Sequence, residues 1–310
     1  MEGLVVKSTG SWYEVRCEDG QVVTCRIRGK FRTHGIKYTN PVVVGDQVTF
    51  EMENDGAGTI TQIAPRRNYI ERKATNLSKV SHLIASNIDM VFLVVTLKEP
   101  RTSQGFIDRF LVAAESFRIP ACLVFNKMDL YDEDERADVE ALADLYRQIG
   151  YETLFTSVVT GQGIEALRKM LEDRVSLFSG HSGTGKSALV NAVEPSLQLR
   201  VGEISQQHHK GKHTTTFAEM FPFAGGYLMD TPGIKEFGLI RYGKEEVRDY
   251  FPEIRAMQHQ CRFSNCLHLQ EPGCAVLQAV EEGTISASRY LNYVSIVEDE
   301  DMSLAEWQLR

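Results

Sequence analysis

No stretch of this chain approaches the eighteen consecutive apolar residues that crossing a membrane requires. The opening residues, MEGLVVKSTGSWYEV, lack the basic start and long apolar core of a secretory signal. No membrane partner and a cytoplasmic location are therefore the expectations. Internal repeats and low-complexity segments are also missing. So is any excess of positive charge: 34 Lys+Arg stand against 42 Asp+Glu, a net charge of −8, which argues against binding nucleic acid through bulk charge. Cysteine is scarce, six in 310 residues, and three of the six, Cys261, Cys266 and Cys274, cluster with a histidine, which in a cytosolic chain points to metal before disulfide. What remains is an ordinary soluble composition, 43% hydrophobic and 25% charged, in a chain long enough for two or three domains.

Residues 1–66 read as five or so short strands, with hairpin signals at Asp19-Gly20 and Asp55-Gly56. That spacing suits a small barrel of the OB type, although an SH3-like barrel would look similar. Arg26, Arg28, Lys30 and Arg32 fall on alternate residues, with Lys37 nearby, and can form one basic stripe. The plain reading is a solvated sheet face; the functional one is contact with nucleic acid. RRNYIERKATN, residues 66–76, has no clear period and reads as a linker. Cys17, Cys25 and Cys122 sit in strand-like apolar settings and read as buried thiols.

From about residue 78 the pattern changes. IDMVFLVVTL is a near-continuous apolar run, as expected of a strand buried on both faces. GFIDRFLVAAESFR then has helical spacing, PACLVFNKMD reads as a strand, and DERADVEALADLYRQIG reads as a helix that stops at Gly150. ETLFTS, GIEALRKMLED and RVSLFSG continue the alternation, and two more strands fall near TTFAEMFPF and GGYLMDTPG. Strands alternating with helices imply an α/β domain on a parallel sheet. After about residue 241 the chain reads as helical and irregular.

Gly180-His181-Ser182-Gly183-Thr184-Gly185-Lys186-Ser187 fits G-x-x-x-x-G-K-[ST], after a strand and at the start of a helix that includes Ala188. Its glycines let successive backbone N–H groups turn toward phosphate oxygens, and the helix N-terminus favours the anion. Lys186 would reach the β and γ phosphates and Ser187 would ligate Mg²⁺. The plain alternative is a Gly-rich turn. Asp230-Thr231-Pro232-Gly233 has the form D-x-x-G at the end of an apolar strand, where Asp230 can hold the Mg²⁺ shell and the Gly233 N–H can face a γ-phosphate. Between them lies GKHTTT; Thr215 is favoured as a further Mg²⁺ ligand, with Thr214 and Thr216 left open.

Asn126-Lys127-Met128-Asp129 ends an apolar strand in the form of a guanine reader. Asp129 would accept from the base N1–H and 2-amino group; adenine lacks both and would leave a carboxylate unpaired. Thr156 and Ser157 end the next strand, where a backbone N–H can meet guanine O6, although the usual Ser-Ala-Lys form is absent. A chance strand-ending turn is the alternative. The guanine reader here precedes the phosphate loop, so the order is that of a circularly permuted GTPase, with helix 164–173 running directly into strand 175–179. Such a rearrangement keeps the site where the original termini lie close together.

The C-terminal segment contains Cys261, Cys266, His268 and Cys274. Three thiolates and an imidazole suit one closed, tetrahedral, structural Zn²⁺ site; unlinked thiols beside a surface histidine are the alternative.

Barrel, permuted GTPase motifs and Cys-x4-Cys-x-His-x5-Cys together resemble the RsgA family of ribosome-dependent bacterial GTPases over essentially the whole chain. The resemblance implies domains at 1–66 (OB-like barrel), 67–240 (permuted GTPase) and 241–310 (helical, zinc-binding). It also implies binding of GTP and GDP, GTP hydrolysis with Mg²⁺, and binding to the 30S ribosomal subunit and its 16S rRNA late in assembly, with hydrolysis driving release. A monomer is expected. Ile234 stands where many GTPases carry a water-orienting Gln, so intrinsic turnover should be slow. The resemblance makes His213 the candidate for positioning water, against a solvated loop histidine. A γ-phosphate that orders residues 205–240 would reposition the zinc domain. Two other readings are a GTP-dependent switch on another RNA and a metabolic phosphate-loop kinase.

Overall fold

The computed structural model describes residues 1–27, 41–72, 82–197, 218–230 and 242–298, and these form two compact units. One takes its described residues from Met1–Val91, Glu165–Phe178 and Ser187–Ile234; the other takes them from Phe92–Ile164, Ser179–Lys186 and Lys235–Arg310.

The first unit opens with β1 (Glu2–Ser8), β2 (Tyr13–Arg16), β3 (Val22–Ile27), β4 (Gln47–Met52) and β5 (Gly58–Ile63). β1 pairs with β2, β2 with β3, β3 in parallel with β5, β5 with β4, and β4 returns to β1. This circuit is a closed five-stranded barrel of OB type, and closure leaves no open sheet edge. Alternation along the strands turns Val5, Val15, Cys25, Phe50 and Ile60 into its core. Gly20 and Gly56, at φ +85° and +81°, make the two turns that the Asp-Gly pairs predict. Arg26 is paired with Glu53 and lies 3.7 Å from Asp55, so this member of the expected basic stripe is neutralised by the acidic β4–β5 turn. Arg28, Lys30, Arg32 and Lys37 lie outside the described residues.

The expected linker over 66–76 is in part a strand. β6 (Tyr69–Arg72) pairs antiparallel with β7 (His82–Ser86). Four residues are too few to show a period, and the charged Arg67 and Glu71 flank the one buried apolar residue, Ile70. Tertiary contacts anchor the ladder instead. Asp46, fully buried, accepts from the Val43 N–H (2.9 Å), the Ser86 hydroxyl (2.6 Å) and both Nε and Nη2 of Arg66 (2.7 Å each).

Strands and helices then alternate as the periodicity predicts: β8 (Met90–Val95), α1 (Gln104–Ser116), β9 (Ala121–Phe125), α2 (Glu133–Ile149), β10 (Glu152–Phe155), α3 (Ile164–Leu171), β11 (Val175–Ser179), α4 (Lys186–Val193), β12 (Glu219–Phe223) and β13 (Gly226–Asp230). Every residue of β8 and β9 is buried, as parallel strands covered on both faces should be. In the second unit β9 lies between β8 and a parallel β10. In the first, β11 runs parallel to β13, and the β12–β13 hairpin meets β1 at Lys7↔Glu219. Helix α2 begins on an Asp132/Glu135 capping box and stops at Gly150, whose φ is +109°. Residues 172–174 join α3 to β11, and the joint is pinned: Asp173 N–H donates to Ala224 O (3.1 Å), and Tyr227 N–H donates to Arg174 O (2.9 Å).

Helices α5 (Lys244–Val247), α6 (Pro252–Met257), α7 (Ala275–Glu281) and α8 (Ala287–Glu298) follow. Val112 of α1 shares one buried core with Phe251, Ile254, Cys266, Val276 and Tyr293. Among the described residues no helix is long and apolar enough to cross a membrane.

Asp46→Ala takes the carboxylate from the Arg66 guanidinium, which keeps the Pro41 carbonyl (2.6 Å), and the acceptor from the Ser86 hydroxyl. It should lower stability by about 3–5 kcal/mol, read as a fall in the urea midpoint with an unchanged slope.

Candidate nucleotide and metal sites

Two loops of the second unit converge on one side chain. Asn126 follows the buried strand β9, and its own N–H donates to Val95 O at 2.9 Å. Its side-chain amide donates through Nδ2 to Thr184 O of the phosphate loop (2.8 Å) and accepts at Oδ1 from the Thr156 hydroxyl (2.9 Å). Asn126 is 2% exposed, so an unmade bond here would be costly. Lys127 takes a left-handed φ of +63°, and its ammonium donates to Glu99 O. Met128 is buried, with its N–H on Thr156 O (3.1 Å). The Ser157 hydroxyl donates to Asp129 Oδ1 at 2.5 Å and accepts from Thr160 N–H at 3.2 Å. A carboxylate oriented in this way by one hydroxyl keeps capacity for two further N–H donors side by side.

The phosphate loop leaves β11 and enters α4. Gly180, Gly183 and Gly185 have φ of +135°, +89° and +97°, the left-handed turns that aim successive N–H groups inward. Two of these positions also lack room. A Cβ on Gly180 would sit 2.5 Å from Val94 O, and one on Gly185 would sit 2.4 Å from Asn126 Nδ2. Lys186, almost fully buried, donates from Nζ to Gly180 O (2.8 Å) and His181 O (2.6 Å). A phosphate entering the loop would exchange these carbonyls for its own oxygens. Ser182 and Gly183 form the exposed rim, while Thr184 is buried with its hydroxyl on His181 O (3.0 Å). Ser187, buried, and Ala188 lie in the first turn of α4.

The loop between β8 and α1 carries no recognisable motif, yet it touches both elements. Glu99 O receives Lys127 and the Pro100 ring lies 3.4 Å from where a Gly183 Cβ would be; in the first turn of α1 beyond it, the Phe106 ring packs on His181 at 4.1 Å between centroids. Burial, and then the Lys186 charge, lower the His181 imidazole and hold it neutral. Asp230 is the last residue of β13. His213, Thr214, Thr215, Thr216, Gly233 and Ile234 lie outside the described residues.

The four residues Cys261, Cys266, His268 and Cys274 come together, their ligand atoms all within 4.8 Å of one another. Cys261 Sγ is 3.6 Å from His268 Nδ1 and 3.9 Å from Cys274 Sγ; His268 Nδ1 is 3.3 Å from Cys274 Sγ. A tetrahedral ion with ligands at about 2.0–2.3 Å needs edges of roughly 3.5–3.8 Å, so the cluster is spaced to hold one. The geometry selects Nδ1 as the ligating nitrogen, since Nδ1 is the ring nitrogen that faces the Cys261 and Cys274 sulfurs. Burial pushes the Cys266 thiol up to about 12 and raises Cys274. Burial, and then Arg248, lower the His268 imidazole. The imidazole is thus neutral and ready to ligate, whereas the Cys266 and Cys274 thiols need the cation's own charge to ionise. Cys17, Cys25 and Cys122 are buried thiols remote in sequence from this cluster.

The model of the RsgA GTPase family matches residues 63–240, and that of the RsgA N-terminal domain matches residues 2–60. The chain belongs to the RsgA GTPase family. It is accordingly a GTP hydrolase, which sets aside the metabolic kinase. A relative in Bacteroides fragilis, the small ribosomal subunit biogenesis GTPase RsgA, is 53% identical over 97% of each chain. YjeQ from Thermotoga maritima superposes with a TM-score of 0.78 at 38% identity, over 100% of this chain and 99% of that one. YloQ, described as a circularly permuted GTPase, superposes with a TM-score of 0.74 at 32% identity, over 97% and 96%. The same permuted order is seen here, with the Asn126 loop preceding the phosphate loop in sequence and bonded to it in space.

Gly185→Ala adds a methyl where Asn126 Nδ2 lies, at a φ that L side chains avoid. Loss of the Asn126–Thr184 bond costs about 1–3 kcal/mol, so GDP affinity measured by titration calorimetry should fall at least about fivefold. Cys274→Ser should weaken metal binding, measured against a competing chelator, by more than the roughly 10–100-fold typical of an outer-sphere change.

Proposed function

We propose that this GTPase binds the 30S ribosomal subunit and its 16S rRNA late in assembly, hydrolyses GTP when the subunit stimulates it, and departs as hydrolysis proceeds. The observation that carries the proposal is the Asn126 amide bonded at once to the phosphate loop and to the Thr156 loop, in a chain whose relatives are named for small-subunit biogenesis.

In this reading Asp129 selects guanine, Asn126, Lys127 and Met128 shape the base pocket, and Thr156 and Ser157 close it. Residues 180–188 and Gly233 hold the phosphates. Ser187, Thr215 and Asp230 hold Mg²⁺, and His213 positions the attacking water. Cys261, Cys266, His268 and Cys274 hold one structural Zn²⁺, the ion that three thiolates and one imidazole favour. The domain division is 1–66, 67–240 and 241–310; the family matches ending at residue 60 and spanning 63–240 support its first boundary and its second. The protein acts in the cytoplasm as a monomer.

The test is hydrolysis by the purified chain with and without isolated 30S subunits, with ATP as the control nucleotide. Slow, GTP-specific turnover that rises at least about a hundredfold with 30S is expected, the lower end of acid–base assistance. His213→Ala should remove most of that rise. Turnover indifferent to 30S would overturn the ribosomal reading in favour of a switch on another RNA.

A further inference from the structure

Helix α1 meets the phosphate loop at one end and the metal-bearing segment along its side. At its first turn, the Phe106 ring lies on the His181 imidazole, with 4.1 Å between centroids and 33° between planes. The His181 carbonyl is in turn one of the two oxygens that hold Lys186. Half a turn further on, Asp108 is fully buried. It accepts from Arg289 Nη1 (2.6 Å) and Asn292 Nδ2 (2.5 Å) of α8, and from the Tyr146 hydroxyl (2.6 Å). Arg289, 1% exposed, completes its fork on Glu253 of α6 (2.7 and 3.1 Å). At the third turn, Val112 belongs to the core that contains Cys266 and Cys274. Helix α8 closes the circuit: the Tyr290 hydroxyl donates to His268 O (2.8 Å), and the Tyr293 hydroxyl donates to Leu267 O (2.6 Å).

A buried charge pair with its lone pairs satisfied tolerates little displacement, because any shift leaves a charge unpaired in a dry interior. The metal segment and α1 therefore move as one piece. Emptying the metal cluster removes the cross-link among Cys261, Cys266, His268 and Cys274 and loosens the core around Val112. The helix then loses the support that presses Phe106 on His181.

We propose that Phe106 is a positioning residue for the phosphate loop, and that α1 couples metal occupancy of the Cys/His cluster to guanine-nucleotide affinity. The proposal rests on reading 180–186 as the phosphate loop and the cluster as a metal site. The route runs through described residues of one unit and does not pass through 205–240, the segment expected to act as a switch. Coupling of this kind is reciprocal: metal must tighten nucleotide binding by the same factor by which nucleotide tightens metal binding.

The experiment uses the full-length chain with Zn²⁺ and GDP as probes. GDP affinity is measured with the cluster filled and after chelation; Zn²⁺ affinity is measured against a competing chelator with and without saturating GDP. Both ratios should be equal and at least about fivefold, the lower end of typical coupling. In Phe106→Ala the two ligands should still bind, while the ratio falls toward one; Phe106→Leu, which keeps apolar volume without the flat ring, serves if the alanine variant fails to fold. A wild-type ratio of one, with both ligands bound, overturns the coupling and leaves both site readings standing. A wild-type ratio undiminished in the Phe106 variants overturns the route through Phe106. Failure of wild type to bind GDP or Zn²⁺ at all overturns the site reading and the coupling with it.

Discussion

The side-chain amide of Asn126 is the contact on which the candidate nucleotide site depends. It joins loops that the chain supplies at 126–129, at 156–160 and at 180–186. Beyond a single 3-10 turn at Met128–Leu130 and the start of α4 at Lys186, these loops have no regular structure to hold them in place. Each follows a strand, fully buried in β9, largely buried in β11 and half-buried in β10, and each is held by this shared amide. A carboxamide suits the role because it donates and accepts at once, and a buried one must do both. Gly185 is required by the same contact, since only a residue without a Cβ lets the amide approach.

Permutation is tolerated because this site is an assembly of contacts and carries no memory of chain order. The joint from α3 to β11 needs only residues 172–174, pinned by backbone bonds to Ala224 and Tyr227. The consequence lies downstream. The segment after β13 continues into helices beside the Cys/His cluster, where an unpermuted GTPase would continue into its own core. Those helices are secured to α1 by Asp108, Arg289 and Glu253, a triad that is buried and fully bonded. A triad of this kind contributes more to fixing one arrangement than to raw stability, because desolvation offsets most of its Coulomb attraction.

Charge follows the same division between local and global. The chain is acidic overall, and Arg26 in the barrel is already neutralised by Glu53 and Asp55. An RNA partner of such a protein must be met by particular side chains, since the net field opposes it.

Much of the fold was legible in the sequence: the barrel strands from alternation and two Asp-Gly turns, the α/β core from alternating periods, and the end of α2 from Gly150. That 126–129 meets 180–187, and that the Cys and His residues of 261–274 converge, agrees with the motif spacing in the sequence. Strand β6 was not legible, because four residues carry no period and its anchor, Asp46, lies twenty residues away from Arg66. Nor was the choice of barrel, which depends on β3 pairing with β5 and β4 with β1, both long-range events. The loop before α1, the Phe106–His181 stack and the Asp108–Arg289 pair were equally invisible, the last spanning 181 positions. By itself, then, the sequence determined which chemical groups the protein owns and which local elements present them. The tertiary structure alone decided which of those groups touch, because burial and hydrogen bonding between distant segments are properties of the packed chain and leave no local pattern.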